Sequence, residues 1–266
     1  MRGSATLALA VAVNDPDVLE RNLLLSPGIS ERCHVIKKKE YSSAASAYNA
    51  CIAEAEQDVI IFAHQDIYLP EQWFLQLDAA MSLLAEQGIR WGVLGCYGTG
   101  PGATDQAGCV YQTGMGVIGR KIEHPVLVQT LDEIVLVIRK SSGLRFDPGF
   151  PHFHLYGADL CMTASAAGMP CYAVPAFCVH NTKQLINLPQ EYWHCYRYFK
   201  KKWYRSLPVQ TSCIEISRFD RARWIRSMRE TKRALFGVRN APAERLWDPR
   251  EALKTAESWK QERFPT

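Results

Sequence analysis

The chain has 266 residues, is 47% hydrophobic and carries a formal net charge of +4. These values fit one large α/β domain, or one domain with a helical appendage, and exclude a chain that needs disulfides to be stable. Its nine cysteines are scattered and form no Cys-x-x-Cys pair, which argues against a zinc ribbon or a thioredoxin-like site and suits a reducing cytoplasm.

The first predicted element is the continuous apolar run from Leu7 to Val13, which is typical of a central parallel strand. It is too short to span a bilayer, and no cleavage region of a signal peptide follows it. The next predicted elements are a helix over 17–25, a strand over 33–36, a helix over 42–55, a strand over 58–63, a helix over 71–86 and a strand over 91–96. This alternation predicts a doubly wound sheet with its crevice at the carboxyl ends of the strands.

The second half of the chain is less regular. Glycines predict a flexible loop over 97–114, and their spacing is neither that of a dinucleotide fingerprint nor that of a P-loop. A strand-rich stretch over 126–138, a helix over 159–168 and a strand over 171–179 follow, and the pattern becomes helical, basic and aromatic after Pro189. We therefore predict a catalytic domain over 1–188 and a helical C-terminal extension over 189–266.

His64, Gln65 and Asp66 follow the apolar strand over 58–63, so they should lie at the crevice. Burying a carboxylate there is favourable when a charged partner meets it, and Mg²⁺ or Mn²⁺ holding a diphosphate is such a partner. The alternative is that Asp66 only caps the turn before Pro70.

The surrounding sequence supports the metal site. Ala44-Ala-Ser-Ala-Tyr-Asn-Ala-Cys-Ile-Ala-Glu-Ala55 and the following Asp58-Val-Ile-Ile-Phe-Ala-His-Gln-Asp66 resemble inverting family 2 glycosyltransferases of the GT-A fold. The closest resemblance is to a bacterial branch with a His-Gln-Asp variant of the Asp-x-Asp metal motif. It implies a doubly wound mixed sheet, a Mn²⁺ or Mg²⁺ cofactor and a nucleotide-sugar donor, most commonly UDP-linked. It also implies Asp66, His64 and the strand-end His180 as metal ligands.

The same resemblance, which covers about residues 5–185, implies a nucleotide-binding set. Its members are Val13, Asn14, Asp15, Tyr48, Asn49 and Gln65. The basic run over 37–39 either helps to bind phosphate or is a solvated charge cluster.

The acceptor side is predicted around residue 159. The segment from Phe146 to Cys161 resembles the family's acceptor segment, in which an acid before a helix is the general base, and Asp159 matches that position. A carboxylate within hydrogen-bond reach can take the proton of an acceptor hydroxyl; alternatively, Asp159 only caps the helix. Asp132, Glu133 and His154 are candidates for contacts with the acceptor or the sugar, or the two acids begin a solvated strand.

The C-terminal extension is strongly basic. Residues 190–240 hold 13 Lys and Arg against 4 Asp and Glu. Three interpretations remain: a helical lid on the core, a peripheral contact with anionic lipid at the inner membrane face, and a nucleic-acid-binding surface. The leading hypothesis is a cytoplasmic, metal-dependent glycosyltransferase acting on a glycan or lipid-linked acceptor in polysaccharide synthesis, with no nucleic-acid partner. The alternative is a nucleic-acid- or membrane-binding module that uses this extension.

Overall fold

The computed structural model describes residues 6–101, 106–183, 187–220, 223–226, 228 and 243–254. The strands are β1 (Leu7–Val13), β2 (Cys33–Lys39), β3 (Val59–Ala63), β4 (Ile67–Tyr68), β5 (Leu94–Gly95), β6 (Tyr97–Thr99), β7 (Gln106–Gln112), β8 (Gly116–Arg120), β9 (Val126–Val128), β10 (Thr130–Leu131), β11 (Val135–Arg139), β12 (Cys171–Ala173), β13 (Cys178–His180), β14 (Val209–Gln210) and β15 (Glu215–Ile216). The helices are α1 (Pro16–Arg21), α2 (Ile29–Arg32), α3 (Ala44–Glu54), α4 (Trp73–Glu86), α5 (Tyr156–Ala166) and α6 (Gln190–Lys202).

The main sheet is mixed, as predicted. Among the described residues its strand order is β2-β1-β3-β11-β5-β12-β9. β1 pairs in parallel with both β2 and β3, whereas β11 runs antiparallel to β3. Because β1 and β3 are parallel neighbours, the residues that follow them emerge side by side at the same edge of the sheet.

A second sheet covers that edge. Its order in the described part of the chain is β10-β6-β7-β13-β4, and β8 pairs with β7. The prediction of a flexible loop over 97–114 is therefore wrong, because most of its described residues belong to β6 and β7.

The predicted single strand over 171–179 is also wrong. It divides at Pro175, which has no N–H to donate, and β12 joins the main sheet while β13 joins the second.

Helices cover both faces of the main sheet. One apolar cluster joins β1 and β3 to α3, α5 and α6, and another joins the opposite face to α4. Helix α3 begins at Ser43, whose hydroxyl accepts a hydrogen bond from the Ser46 amide. Helix α6 buries Tyr192, Cys195, Tyr196 and Phe199 in the first cluster. The domain boundary at residue 188 stays a prediction, and α6 packs on the same core as the sheet.

Candidate active site

Three side chains with metal-ligating atoms meet at the edge between the two sheets. The ligand atoms of His64, Asp66 and His180 all lie within 4.8 Å of one another. Nε2 of His180 is 3.5 Å from Oδ1 of Asp66, and the imidazole centroids of His64 and His180 are 5.7 Å apart. The three residues predicted as metal ligands are therefore brought together.

Strand pairing brings these residues together although they are far apart in sequence. His64 leaves β3, and its backbone N–H donates to the Ile134 carbonyl before β11. β13 runs antiparallel to β4 with His180 opposite Ile67. The Asn181 N–H donates to the Asp66 carbonyl at 2.9 Å, which fixes Asp66 beside His180.

The electrostatics of the cluster favour an ionised Asp66 carboxylate beside the two imidazoles. Burial raises the pKa of Asp66, but the charge and hydrogen bond of His180, together with the charge of Arg245, outweigh it and hold that pKa well below its usual range. Burial lowers the pKa of His64 to about 4, although Asp66 opposes the shift, so this imidazole is neutral at pH 7. Burial also opposes protonation of His180, but Asp66 prevails and raises the pKa of His180.

A hydrogen-bond chain orients His64. The Tyr156 hydroxyl donates to the Glu133 carbonyl at 3.1 Å and lies 2.8 Å from His64 Nε2. When the tyrosine proton is donated to Glu133, the tyrosine oxygen can accept from Nε2–H of His64, and this pairing requires the Nε2–H tautomer. That tautomer leaves the Nδ1 lone pair available to a metal ion.

The donor set fits a divalent transition metal. Two imidazoles and one carboxylate converge, and buried Nδ1 of His180 has no hydrogen-bond partner among the described residues. Imidazole ligands suit transition-metal ions such as Zn²⁺ and bind Mn²⁺ less strongly, whereas Mg²⁺ prefers oxygen ligands alone. A metal ion could replace the contact of His180 with Asp66.

The cluster lies beside a cleft of about 620 Å³. Of the predicted site residues, the cleft is lined by Val13, Asn14, Tyr48, His64, Gln65 and Asp66. Lys38 and Lys39 form part of its wall, and Lys38 is also paired with Glu54. A volume of this size is in the range of small-molecule sites in proteins.

Gln65, the middle residue of the triplet, ties the ends of β1 and β3 together. Its side-chain carbonyl accepts from the backbone N–H groups of Asn14 and Asp15 at 3.0 and 3.1 Å, and its amide donates to the Asn14 side chain. Asp15 does not line the cleft and caps α1 by accepting from Asp17 and Val18. Gln65 thus shapes the cleft from within, and its contact with a nucleotide stays a prediction.

Tyr48 and Asn49 have different surroundings. Tyr48 is buried among Phe62, Phe146 and Tyr156 and reaches the cleft from that aromatic cluster. Asn49 is not a lining residue, and its amide bonds both the N–H and the carbonyl of Phe146. This position of Asn49 fastens the loop before α5 to α3, and its nucleotide contact stays a prediction.

Asp132, Glu133 and His154 lie near the cluster but do not line the cleft. The charge of Asp132 raises the pKa of both His64 and His180, so Asp132 acts on the metal-ligand candidates electrostatically. Glu133 accepts from the N–H of Leu155, a residue held at a left-handed φ of 61°. Burial lowers the pKa of His154, whose ring packs on Tyr192.

Glu133 should make the stability of the protein depend on pH. Burial and the charge of Asp132 raise the pKa of Glu133 from 4.5 to about 8, so the folded state binds an extra proton between these values. Stability from this group is present at low pH and is lost as the pH rises towards 8. We expect Glu133→Gln, which mimics the neutral acid, to raise the free energy of unfolding at pH 8 by about 1–3 kcal/mol and to change it little at pH 5.

Urea unfolding at several pH values measures this effect. Glu123→Gln, a change at an exposed glutamate, is the matched control and should leave the pH profile unchanged. Parallel pH profiles for wild type and Glu133→Gln would show that Glu133 ionises normally in the folded protein.

Asp159 lies in the first turn of α5 and does not cap it, because the helix begins at Tyr156 and has no side-chain cap. The capping interpretation is therefore wrong. Its carboxylate is 2% exposed, lies 2.9 Å from Nζ of Lys202 and accepts from Trp203 Nε1 at 2.7 Å. Burial raises the pKa of Asp159 although Lys202 opposes the shift. Asp159 does not line the cleft, and its role as general base stays a prediction.

The aromatic residues of the basic extension differ in how deeply they are buried. Those of α6 pack largely on the core, as the lid interpretation expects, whereas Phe219 and Trp224 are exposed. No helix in the described part of the chain is both long enough and apolar enough to cross a bilayer. The residues from 229 to 242, which include part of the basic stretch, lie outside the described residues.

Sequence reasoning missed two residues at the site. Tyr156, the first residue of α5, carries no signal of a site in the sequence, and its contact with His64 depends on the fold. Arg245 lies 179 residues from Asp66 in sequence, yet its Nη2 donates to Oδ2 of Asp66 at 3.2 Å, and the side chain lines the cleft. It stands beyond the basic stretch over 190–240, in a segment with no motif, so only the structure identifies it.

No family model matches the chain. A stretch of 120 residues is 32% identical to the curated protein "ATP synthase subunits region ORF 6" of Fuscovulum blasticum, and it covers 43% of this chain and 48% of that protein. Among solved structures, GalNAc-T7 with UDP, GalNAc and Mn²⁺ matches with a TM-score of 0.51 and 10% identity, over 76% of this chain and 49% of that chain. TarS of S. aureus matches with a TM-score of 0.40 and 11% identity, over 74% of this chain and 39% of that chain.

The chain thus spans about half the length of the curated relative and of GalNAc-T7. At 10% identity the likeness to GalNAc-T7 concerns the fold. It shows a mixed α/β fold of the GT-A type, and this confirms the fold class predicted from the sequence.

Proposed function

We propose that this protein is a metal-dependent, inverting glycosyltransferase of the family 2 type that transfers a sugar from a nucleotide-diphosphate donor to a hydroxyl acceptor. The observation that carries the proposal is the His64–Asp66–His180 cluster at the rim of a cleft of about 620 Å³ on a GT-A fold. The donor set favours Mn²⁺ over Mg²⁺ because two of its three members are imidazoles. GalNAc-T7, which has the same fold, was crystallised with UDP and Mn²⁺, and this supports UDP as the nucleotide.

In the proposed reaction, the bond between the anomeric carbon and the diphosphate oxygen breaks. The acceptor oxygen bonds to that carbon from the opposite face, and the hydroxyl proton passes to a base. A bound divalent ion would neutralise the charge that develops on the leaving nucleoside diphosphate. Asp66 and the two histidines would hold that ion, Tyr156 fixes the orientation of His64, and Gln65 holds the end of β1 against β3.

The acceptor is proposed on the resemblance alone. It is a glycan or a lipid-linked glycan in cell-surface polysaccharide synthesis, and the enzyme works in the cytoplasm, where peripheral contact with the inner membrane face would bring it to a lipid-linked substrate. Asp159 is proposed as the base. To act as the general base, the Asp159 carboxylate has to take the proton of the acceptor hydroxyl while it is hydrogen-bonded to Lys202 and Trp203.

Calorimetric titration of the protein with UDP, carried out separately in the presence of Mn²⁺, Mg²⁺ and EDTA, tests the proposal. We expect binding with Mn²⁺, weaker binding with Mg²⁺, and at least about 10-fold weaker binding with EDTA, since a bound metal ion would supply positive charge to the diphosphate. ADP and GDP are tested in parallel because the base is not specified by the cleft. If none of the three nucleotides binds in the presence of either metal, the proposed function is wrong.

A further inference from the structure

The C-terminal strap, residues 243–254, contributes Arg245 to the lining of the cleft. Its anchor is the fully buried Asn181, whose side chain donates to the Leu246 carbonyl at 2.9 Å and accepts from the Leu246 N–H at 2.8 Å. Trp247 packs on the guanidinium of Arg21 at 4.7 Å, and Ala252 is buried in an apolar cluster with β4, β7 and β13. The strap is therefore held at the residue that follows His180.

This anchoring delivers Arg245 to the candidate metal site. Its Nε donates to the Asn181 carbonyl at 3.1 Å, and its Nη2 donates to Oδ2 of Asp66 at 3.2 Å. The other oxygen of that carboxylate, Oδ1, faces His180. Asp66 is thus shared between the proposed metal site on one side and a fixed cation on the other.

The N–H groups of Arg245 that do not bond Asn181 or Asp66 can donate to an anion in the cleft. A guanidinium has about five N–H groups, and the contacts with Asn181 and Asp66 use one from each of two nitrogens. The side chain is 27% exposed and lines the cleft. Its planar fork matches the oxygens of a phosphate in geometry as well as in charge.

We propose that Arg245 binds the diphosphate of the donor beside the metal ion, so that the strap is part of the donor site. This inference rests on the proposed function, which places a nucleotide diphosphate in the cleft. A divalent ion and one guanidinium, offset by the single charge of Asp66, leave two positive charges for the diphosphate. The strap thereby links the C-terminal extension to donor binding.

Titration of UDP and UMP into saturating Mn²⁺ tests this role, because only UDP carries the second phosphate. We expect Arg245→Gln to weaken UDP binding about 10- to 100-fold, as loss of charge-assisted hydrogen bonds does, and to weaken UMP binding much less. The affinity for Mn²⁺ alone, measured from the electron paramagnetic resonance of the free ion, should stay equal or rise. Arg250→Gln, on the same strap but bonded to Asp248, is the matched control and should bind UDP as wild type does.

The outcomes separate this inference from the proposed function. Failure of the wild type to bind UDP with Mn²⁺ is a failure of the proposed function. If the wild type binds and Arg245→Gln binds UDP equally well, Arg245 does not hold the diphosphate. Tighter binding of UDP by the variant would show instead that Arg245 obstructs the site by occupying Asp66. If Arg245→Gln does not fold, Arg245→Lys decides, since it keeps the charge and loses the fork: weaker UDP binding supports the inference, and unchanged binding overturns it.

Discussion

Asp66→Asn should reduce the affinity for Mn²⁺ at least about 100-fold and abolish metal-dependent UDP binding and sugar transfer. The substitution keeps the shape of the side chain but removes the single negative charge of the three-donor cluster. Loss of a residue that only supports a metal ligand already costs about 10–100-fold in metal affinity, and loss of the charged ligand itself costs more. Equilibrium dialysis against Mn²⁺ and UDP calorimetry measure the two affinities.

Asp78→Asn is the matched control for this variant. It makes the same chemical change at an aspartate on α4 that is paired with Arg32 at 2.8 Å and is not a member of the cluster. Metal and nucleotide affinities of this control should equal those of the wild type. If Asp66→Asn is folded and binds Mn²⁺ with wild-type affinity, Asp66 is not a ligand, and the assignment of the whole cluster is wrong. Salt-sensitive nucleic-acid binding that survives in Asp66→Asn would favour the alternative function of the basic extension.

His64 and Asp66 could be predicted as metal-ligand candidates because a strong local signal precedes them, whereas His180 is implied only by the family resemblance. His64 and Asp66 come directly after a fully apolar strand, and His180 ends another, and residues at strand ends gather at one edge of a sheet. What the sequence does not contain is the pairing of β13 with β4, which places His180 opposite Ile67. That pairing joins residues more than 100 positions apart, and only the tertiary fold determines it.

The glycines of the segment over 97–114 led to a wrong prediction for a physical reason. Gly108 has a φ of +79°, and a β-carbon on it would lie 2.1 Å from the carbonyl oxygen of Cys96. The glycine is needed because two strands approach closely at an irregularity in the β7 ladder, and not because the chain is a loop. Composition alone does not distinguish these two uses of glycine.

Arg245 shows the opposite case, a site residue without any signal in the sequence. Its neighbours Ala243, Glu244 and Leu246 form no motif, and residues 241–266 hold five Lys and Arg against five Asp and Glu, so no local excess of charge marks it. The hydrogen bonds of Leu246 with Asn181 bring Arg245 to Asp66. In the sequence, Asn181 resembles an ordinary turn residue after a strand. Long-range polar contacts of this kind are a part of a site that pattern reasoning does not reach.

Asp159→Asn should lower the free energy of unfolding by about 2 kcal/mol, whatever the catalytic role of this residue. Asp159 is almost fully buried, and its replacement leaves the Lys202 ammonium, whose side chain is 27% exposed, without one of its two carboxylate partners. Breaking a buried pair costs about 3–5 kcal/mol, and the exposure of the lysine and its second contact with Asp147 reduce the expected value. Urea unfolding of Asp159→Asn, Lys202→Met and the double variant gives the coupling between the two groups. Lys201→Met, on the exposed side of α6, is the control and should change stability by less than about 0.5 kcal/mol.

The turnover number of sugar transfer separates a structural role of Asp159 from a catalytic one. It is measured on the wild type, Asp159→Asn, Lys202→Met and the double variant. Removing Lys202 from Asp159→Asn eliminates an ammonium that has lost one of its two carboxylate partners, so the double variant should be more stable than the sum of the single losses predicts. A general base contributes about 10²–10⁴-fold to the rate, and asparagine cannot accept the proton in either background. If the turnover number falls by that factor and stays low in the double variant while stability recovers, Asp159 is the base. If rate and stability recover together, Asp159 is an anchor that fastens α6 to α5, and the proton of the acceptor passes to another group.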